Sequence, residues 1–308
     1  MDVSRIHRVL NNAVALARLN NDGAPATYIP ELAHAPHEMT SAAITLRDGT
    51  CLRAGETAFH RFTMHSVAKV ILLAAMLEEN GERQVFSWIY AEPSGLSFSS
   101  AAQLDIFGPA PSNPLVNAGA IVLCSHLEGE KAERLAWLES WAEKLLGERV
   151  RINPRVFYSE LQTGDRNRAL AYLMKSNGVI NGDIAEILHT YFYLCSIETD
   201  VLQASRMTML FANAGREHTG ARLLSERTAA IVTAIMTTSG LYDESGMHLV
   251  RTGLPAKSGV SGLIVAVALG RAGIAVASPR INEKGGSVRG HIMLEHISRE
   301  LGWHFALR

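Results

Sequence analysis

Strand-type alternation in this chain is confined to its two ends, and the long stretch from about residue 80 to residue 240 reads as helix. Toward the first end, AAITLRDGTCLRAG (42–55) puts Ile44 and Leu46 on one face, turns at Asp48-Gly49, a dipeptide suited to a type I′ turn, and resumes with Cys51 and Arg53. Toward the other end, HLVRTGLPAKSGVSGLIVAVALGRAGIAVASP holds a first strand of open length, a β-branched run Leu263–Leu269, a tight GRAG turn and a second run Ile274–Ala277. Between them lie KAERLAWLESWAEKLLG, RNRALAYLMKSNG, GDIAEILHTYFYLCSI, VLQASRMTMLFANAG and SERTAAIVTAIMTTSG, helical in spacing and mostly closed by Gly or Asn-Gly. The economical arrangement is one antiparallel sheet built from both chain ends, flanked by helices, with a helical subdomain inserted: an α+β fold. Residues 1–308 then form a single domain, with 1–75 plus 240–308 as an α/β subdomain and 76–239 as a helical one.

The flanking helices are legible too. In MDVSRIHRVLNNAVALARLNND, Ile6, Val9, Leu10, Ala13 and Val14 fall at helical spacing, which predicts an amphipathic helix packed on the body rather than a secretory signal. SVAKVILLAAMLEE (66–79) is apolar nearly all round, so that helix belongs in the centre of the core.

Composition removes several function classes. The 308 residues carry 29 Lys plus Arg against 30 Asp plus Glu, a formal net charge of -1, which gives no field for nucleic acid or an anionic membrane. The apolar runs VILLAAML and LIVAVAL are too short to span a bilayer, so the expectation is a cytoplasmic protein. Cys51, Cys124 and Cys195 lack zinc-ligand spacing and read as small buried hydrophobes; the histidines form no HExxH, and no metal or organic cofactor is expected.

Two short motifs carry chemistry. In FTMHSVAKV (62–70), Ser66 and Lys69 stand three residues apart at a helix start. They could be a helix cap and a solvated charge. They could also be a nucleophile and the amine that activates it, since the spacing puts both on one face and burial would depress the lysine pKa. In LPAKSGVSG (254–262), a Lys-Ser-Gly on an edge strand offers a cation, a hydroxyl and a close backbone approach, and the Val260 N–H could join that of Ser66 in an oxyanion hole. SxxK followed far downstream by KSG or KTG marks acyl-transferring serine enzymes of the penicillin-binding superfamily.

The whole chain resembles the bacterial serine-dependent glutaminases. The resemblance runs through YIPELA (28–33), HSVAK (65–69), EPSGLSF (92–98), NPLVNAGAI (113–121), SELQTGDRNRALAYLMKSNG (159–178), YFYLCSI (191–197), GLYDESG (240–246) and LPAKSGVSG (254–262). It implies a β-lactamase/DD-peptidase-like fold, hydrolysis of L-glutamine to L-glutamate and ammonia, and a homodimer or homotetramer that uses neither nucleic acid nor membrane. It further implies Ser66 as nucleophile, Lys69 as its activating partner, Tyr191 sharing proton transfer, and Val260 supplying an oxyanion-hole N–H. Asn117, Glu160, Asn167 and Tyr242 would hold the substrate, with Tyr28 closing over it. A β-lactamase or DD-peptidase, and a silent glutamine-binding sensor, are the competing functions. The chain departs from the family at His65, where Gln is usual, at Ala68, where a second Ser is common, and at Ser261 and Leu263, within a run that is commonly glycine-rich.

Overall fold

The computed structural model describes residues 2–56, 61–106 and 108–307. The first strands are β1 (Ser41–Leu46) and β2 (Cys51–Gly55); two-residue strands β3 (Phe62–Thr63) and β4 (Arg151–Ile152) follow, then β5 (Ile197–Thr199), β6 (Ala256–Ser258), β7 (Leu263–Ala268) and β8 (Ala272–Ala277). The main sheet has the antiparallel order β2-β1-β8-β7-β6, so both chain ends do build one sheet, and Ile44 of β1 lies opposite Ile274 of β8. The Lys-Ser-Gly strand, β6, is at its edge.

Both faces of the middle of this sheet are covered, which is why β1, β7 and β8 are buried at every position and carry mostly apolar residues. Ile44, Ile264, Ala266, Ile274 and Val276 pack with Ile6, Leu10, Met293 and Leu294 from the helices Val3–Arg18 and Val288–Leu301. Ala43, Val265, Val267 and Ala275 face the other way, onto the helix Val201–Ala212 and the larger helical core. Contact there is at backbone distance: a Cβ on Gly273 would stand 2.1 Å from the Ser205 carbonyl and the Met209 nitrogen.

The helix Ala68–Trp88 runs through the middle of the molecule, broken at Gly81, and every residue from Val67 to Leu77 is buried. At about 1.5–3 kcal/mol for each large apolar side chain buried, this segment is a principal anchor of the fold. It also fixes where its first turn, and therefore Lys69, must lie.

Four local expectations need correction. The first hairpin does not use a type I′ turn: Gly49 alone has positive φ (86°), Asp48 accepts a hydrogen bond from the Thr50 N–H, and Leu46 and Thr50 flank a three-residue loop. The segment HLVRT is not strand; it ends the helix Ser245–Thr252, which Gly253 closes at φ 60°. The small sheet β3-β5-β4 had no sequence signal, because strands of two or three residues are too short to alternate. Cys124 and Cys195 are buried, the former with its thiol pushed up to about 12 by burial, but Cys51 is only half-buried on β2.

Among the described residues no helix is long and apolar enough to cross a membrane, and no cluster of His, Cys, Asp and Glu is placed to hold a metal ion.

Candidate active site

The chain enters the site from β3, where Met64 donates its N–H to the Ile197 carbonyl at 2.7 Å. It then turns sharply. His65 has φ 44°, a left-handed value that histidine tolerates better than most residues, and opens a 3-10 turn His65–Val67 before the helix starts at Ala68. Ser66 sits half-buried in this turn, and no side chain caps the helix, so its hydroxyl is not used as an N-cap. The cap-and-solvated-charge alternative is excluded from the other side as well, because Lys69 is wholly buried.

Lys69 Nζ donates to Asn117 Oδ1 at 2.7 Å and to the Leu115 carbonyl at 3.2 Å. Asn117 in turn donates from Nδ2 to Asn167 Oδ1 at 2.8 Å. Asn117 opens the helix Asn117–Ser125, with its own N–H taken by the Phe98 carbonyl; Asn167 lies in the first turn of the helix Asp165–Ser176. The ring centroids of Tyr191 and Tyr242 are 5.9 and 5.8 Å from Nζ. Burial brings the lysine down to about 8, and the nearby Cys195, Glu160 and Cys124 only partly oppose it. An amine in that range can give up and regain a proton near neutral pH.

Tyr191, in the helix Ile184–Cys195, is buried, and its phenol is raised well above its ordinary range by desolvation, with Cys195, Glu160 and Tyr242 adding to the shift. It is held as a neutral proton donor. Tyr242 stands in a 3-10 turn, Tyr242–Glu244, at φ 57°. That turn is anchored by Asp243 to Lys284 at 2.9 Å and by Asn282 donating to Glu244 at 2.8 Å. The buried Tyr242 hydroxyl makes no well-aligned hydrogen bond; burial raises it, while the adjacent Ser66 hydroxyl acts in the opposite direction.

Glu160, from the helix Pro154–Thr163, meets His65 across 3.2 Å between Oε1 and Nδ1. Tyr28 leaves 55% of its surface exposed, yet its hydroxyl is pushed up by desolvation and by the charge of Glu160, so its polar end looks toward the same cleft. The segment after β6 closes the remaining side. Ser261 donates to the Thr63 carbonyl at 2.7 Å, and a Cβ on Gly259 would stand 2.7 Å from the Met64 carbonyl. Only glycine lets the backbone at Val260 come this close to the Ser66 turn.

Lys257 stands beside the site and was left out of it by motif reading, although its KSG was noticed. It is wholly buried, donates to the Ser258 carbonyl at 2.6 Å and stands 4.1 Å over the ring of Tyr242. Desolvation holds it well below the usual lysine range, with the Lys69 charge adding to the effect. Its signal was the Lys-Ser-Gly triplet standing just before the apolar run Leu263–Leu269.

Eight of the nine expected residues thus converge through hydrogen bonds, ring contacts or mutual charge, and Val260 arrives through its neighbours. Such equipment, a buried amine poised to titrate three residues along from a serine hydroxyl that caps nothing, belongs to enzymes that transfer acyl groups. Residues 23–305 match the family described as Glutaminase, and the chain belongs to that family. It is 49% identical over 301 residues to the glutaminase of Legionella pneumophila (strain Lens), covering 97% of each chain. The solved structure of a probable glutaminase, ybaS, superposes with TM-score 0.94 at 35% identity, covering 98% of both chains. Mglu in its glutamate form superposes with TM-score 0.91 at 32% identity, over 96% of this chain and 69% of that one. These neighbours bear out the expected fold and the membership that the motifs implied.

Proposed function

We propose that this glutaminase hydrolyses the side-chain amide of L-glutamine through an acyl-enzyme on Ser66. Neutral Lys69 takes the Ser66 proton as Oγ bonds to the amide carbon. Collapse of the tetrahedral intermediate breaks the C–N bond, and Lys69, sharing the proton with Tyr191, protonates the departing nitrogen so that ammonia leaves. Water then attacks the ester, its proton passing to Lys69, and glutamate departs with Ser66 restored. The backbone N–H groups of Val260 and Ser66 hold the negative oxygen in both halves.

Substrate ends are assigned by charge. Glu160 takes the α-ammonium; Asn167, whose Oδ1 is already occupied by Asn117, is left with amide hydrogens for the α-carboxylate, and Tyr242 donates beside Ser66. Tyr28 closes over the bound molecule. The observation that carries the reading is Lys69: wholly buried, brought down to about 8 by that burial, and held by Asn117 next to a serine that caps nothing. A sensor that only binds glutamine gains nothing from such an amine.

Ser66→Ala is expected to abolish ammonia release from L-glutamine in a coupled assay. Undiminished turnover in that variant would contradict the mechanism. We further propose a homodimer or homotetramer in the cytoplasm; a solution mass of one chain by light scattering would contradict the assembly.

A further inference from the structure

The residue before the nucleophile departs from the family pattern, and its surroundings say what it does. His65 is buried, with 3% of its side chain exposed against 12% for Glu160, and the ring reaches the carboxylate through Nδ1 at 3.2 Å. Its other nitrogen, Nε2, is buried with no hydrogen-bond partner among the described residues. The ring is therefore oriented by Glu160 on one side and by the left-handed turn at φ 44° on the other, with nothing gained at Nε2. Among the described residues Glu160 Oε1 is taken by His65, and Oε2 has no hydrogen-bond partner. One oxygen of the carboxylate is thus engaged, and the other is left for a second donor.

We propose that His65 is a positioning residue: by donating Nδ1–H to one oxygen of Glu160 it aims the other at the α-ammonium of the substrate, so that selectivity for an α-amino substrate depends on His65. The inference rests on the assignment of glutamine and Ser66 above, and the two are separable. Among the described residues no hydrogen bond joins His65 to Lys69, so its loss acts on binding of one substrate end.

The test is a cycle between protein and substrate. L-Glutamine is compared with glutaramate, the same amide without the α-ammonium, in wild type and in His65→Leu, His65→Gly and His65→Asn. Asparagine places its amide where Nδ1 stands and tolerates positive φ; glycine relieves the turn but removes the donor. The ratio of kcat/KM for glutamine over glutaramate is expected to fall about tenfold in His65→Leu and His65→Gly, mainly through KM for glutamine, and to stay within about threefold of wild type in His65→Asn. If His65→Leu does not fold, the Gly and Asn variants still form the comparison. Equal losses for both substrates would mean that His65 acts on the Ser66 turn, and would overturn the proposal. An unchanged ratio in the Gly variant, or an Asn variant as poor as Gly, would overturn it too. Wild-type turnover of glutamine that survives Ser66→Ala would instead overturn the underlying mechanism.

Discussion

Two fully buried lysines, Lys69 and Lys257, lie over the ring of Tyr242 at 5.8 and 4.1 Å, and they are held in opposite ways. Lys69 rises from the central helix and donates to two groups nearly fifty residues distant, the Leu115 carbonyl and the Asn117 side chain, the latter linking it to Asn167. Lys257 stands on the sheet edge and, among the described residues, donates to the carbonyl of the next residue, Ser258. Both are lowered by desolvation: Lys69 comes to about 8, within reach of proton exchange, and Lys257 is held well below the usual lysine range, with the Lys69 charge adding to the effect. Burial alone therefore does not make a base. Asn117 and Asn167 tie Lys69 into a chain of amides, whereas Lys257 packs under the ring of Tyr242.

The largest effect that could break this contrast is in turnover. Lys69→Met is expected to lower kcat/KM for glutamine by about 10³-fold or more, as loss of a general base does, while Lys257→Met costs about 10- to 100-fold by disturbing Tyr242. Steady-state kinetics of the two variants would show it, and equal losses would erase the distinction.

A smaller effect sharpens it in stability. The unfolded chain keeps the Lys69 proton up to its ordinary 10.5, and the folded chain only up to about 8. Between these values the unfolded state binds more protons, so stability climbs with pH there, and below about 8 the whole penalty is present. At about 1.4 kcal/mol per unit this is on the order of 3 kcal/mol, offset in a variant by the donor lost to Asn117. Lys69→Met should therefore be about 1–2 kcal/mol more stable than wild type at pH 7 by denaturant unfolding, and less so at pH 10. A destabilised Lys69→Met would mean that the buried charge is better compensated than its surroundings indicate.

What could be read before any coordinates followed from patterns long enough to repeat. The alternation at Ile44 and Leu46 and in Leu263–Leu269 located the main sheet, and Ile6, Val9, Leu10, Ala13 and Val14 named the buried face of the first helix. Ser66 and Lys69 were visible because their chemistry lies three residues apart. Contacts made across the fold left no such trace. Glu160 lies far along the chain from His65, and Lys257 stands under a tyrosine that precedes it on a separate turn. The strands at Phe62, Arg151 and Ile197 are defined by their partners, not by any periodicity of their own. HLVRT carried a strand-like composition that its helical neighbours overrode.

The central claim is that the titrating base is Lys69 and not Lys257. The most direct test is the pH dependence of kcat/KM for glutamine in wild type and Lys257→Met. A base must be deprotonated to act, so the rate should rise with pH through about 8 and level off above it. With Lys69 as the base, that limb should stay within about half a unit of its wild-type position in Lys257→Met, at reduced height. A limb that disappears or moves by more than about one unit in Lys257→Met would assign the titration to the wrong lysine and contradict the account.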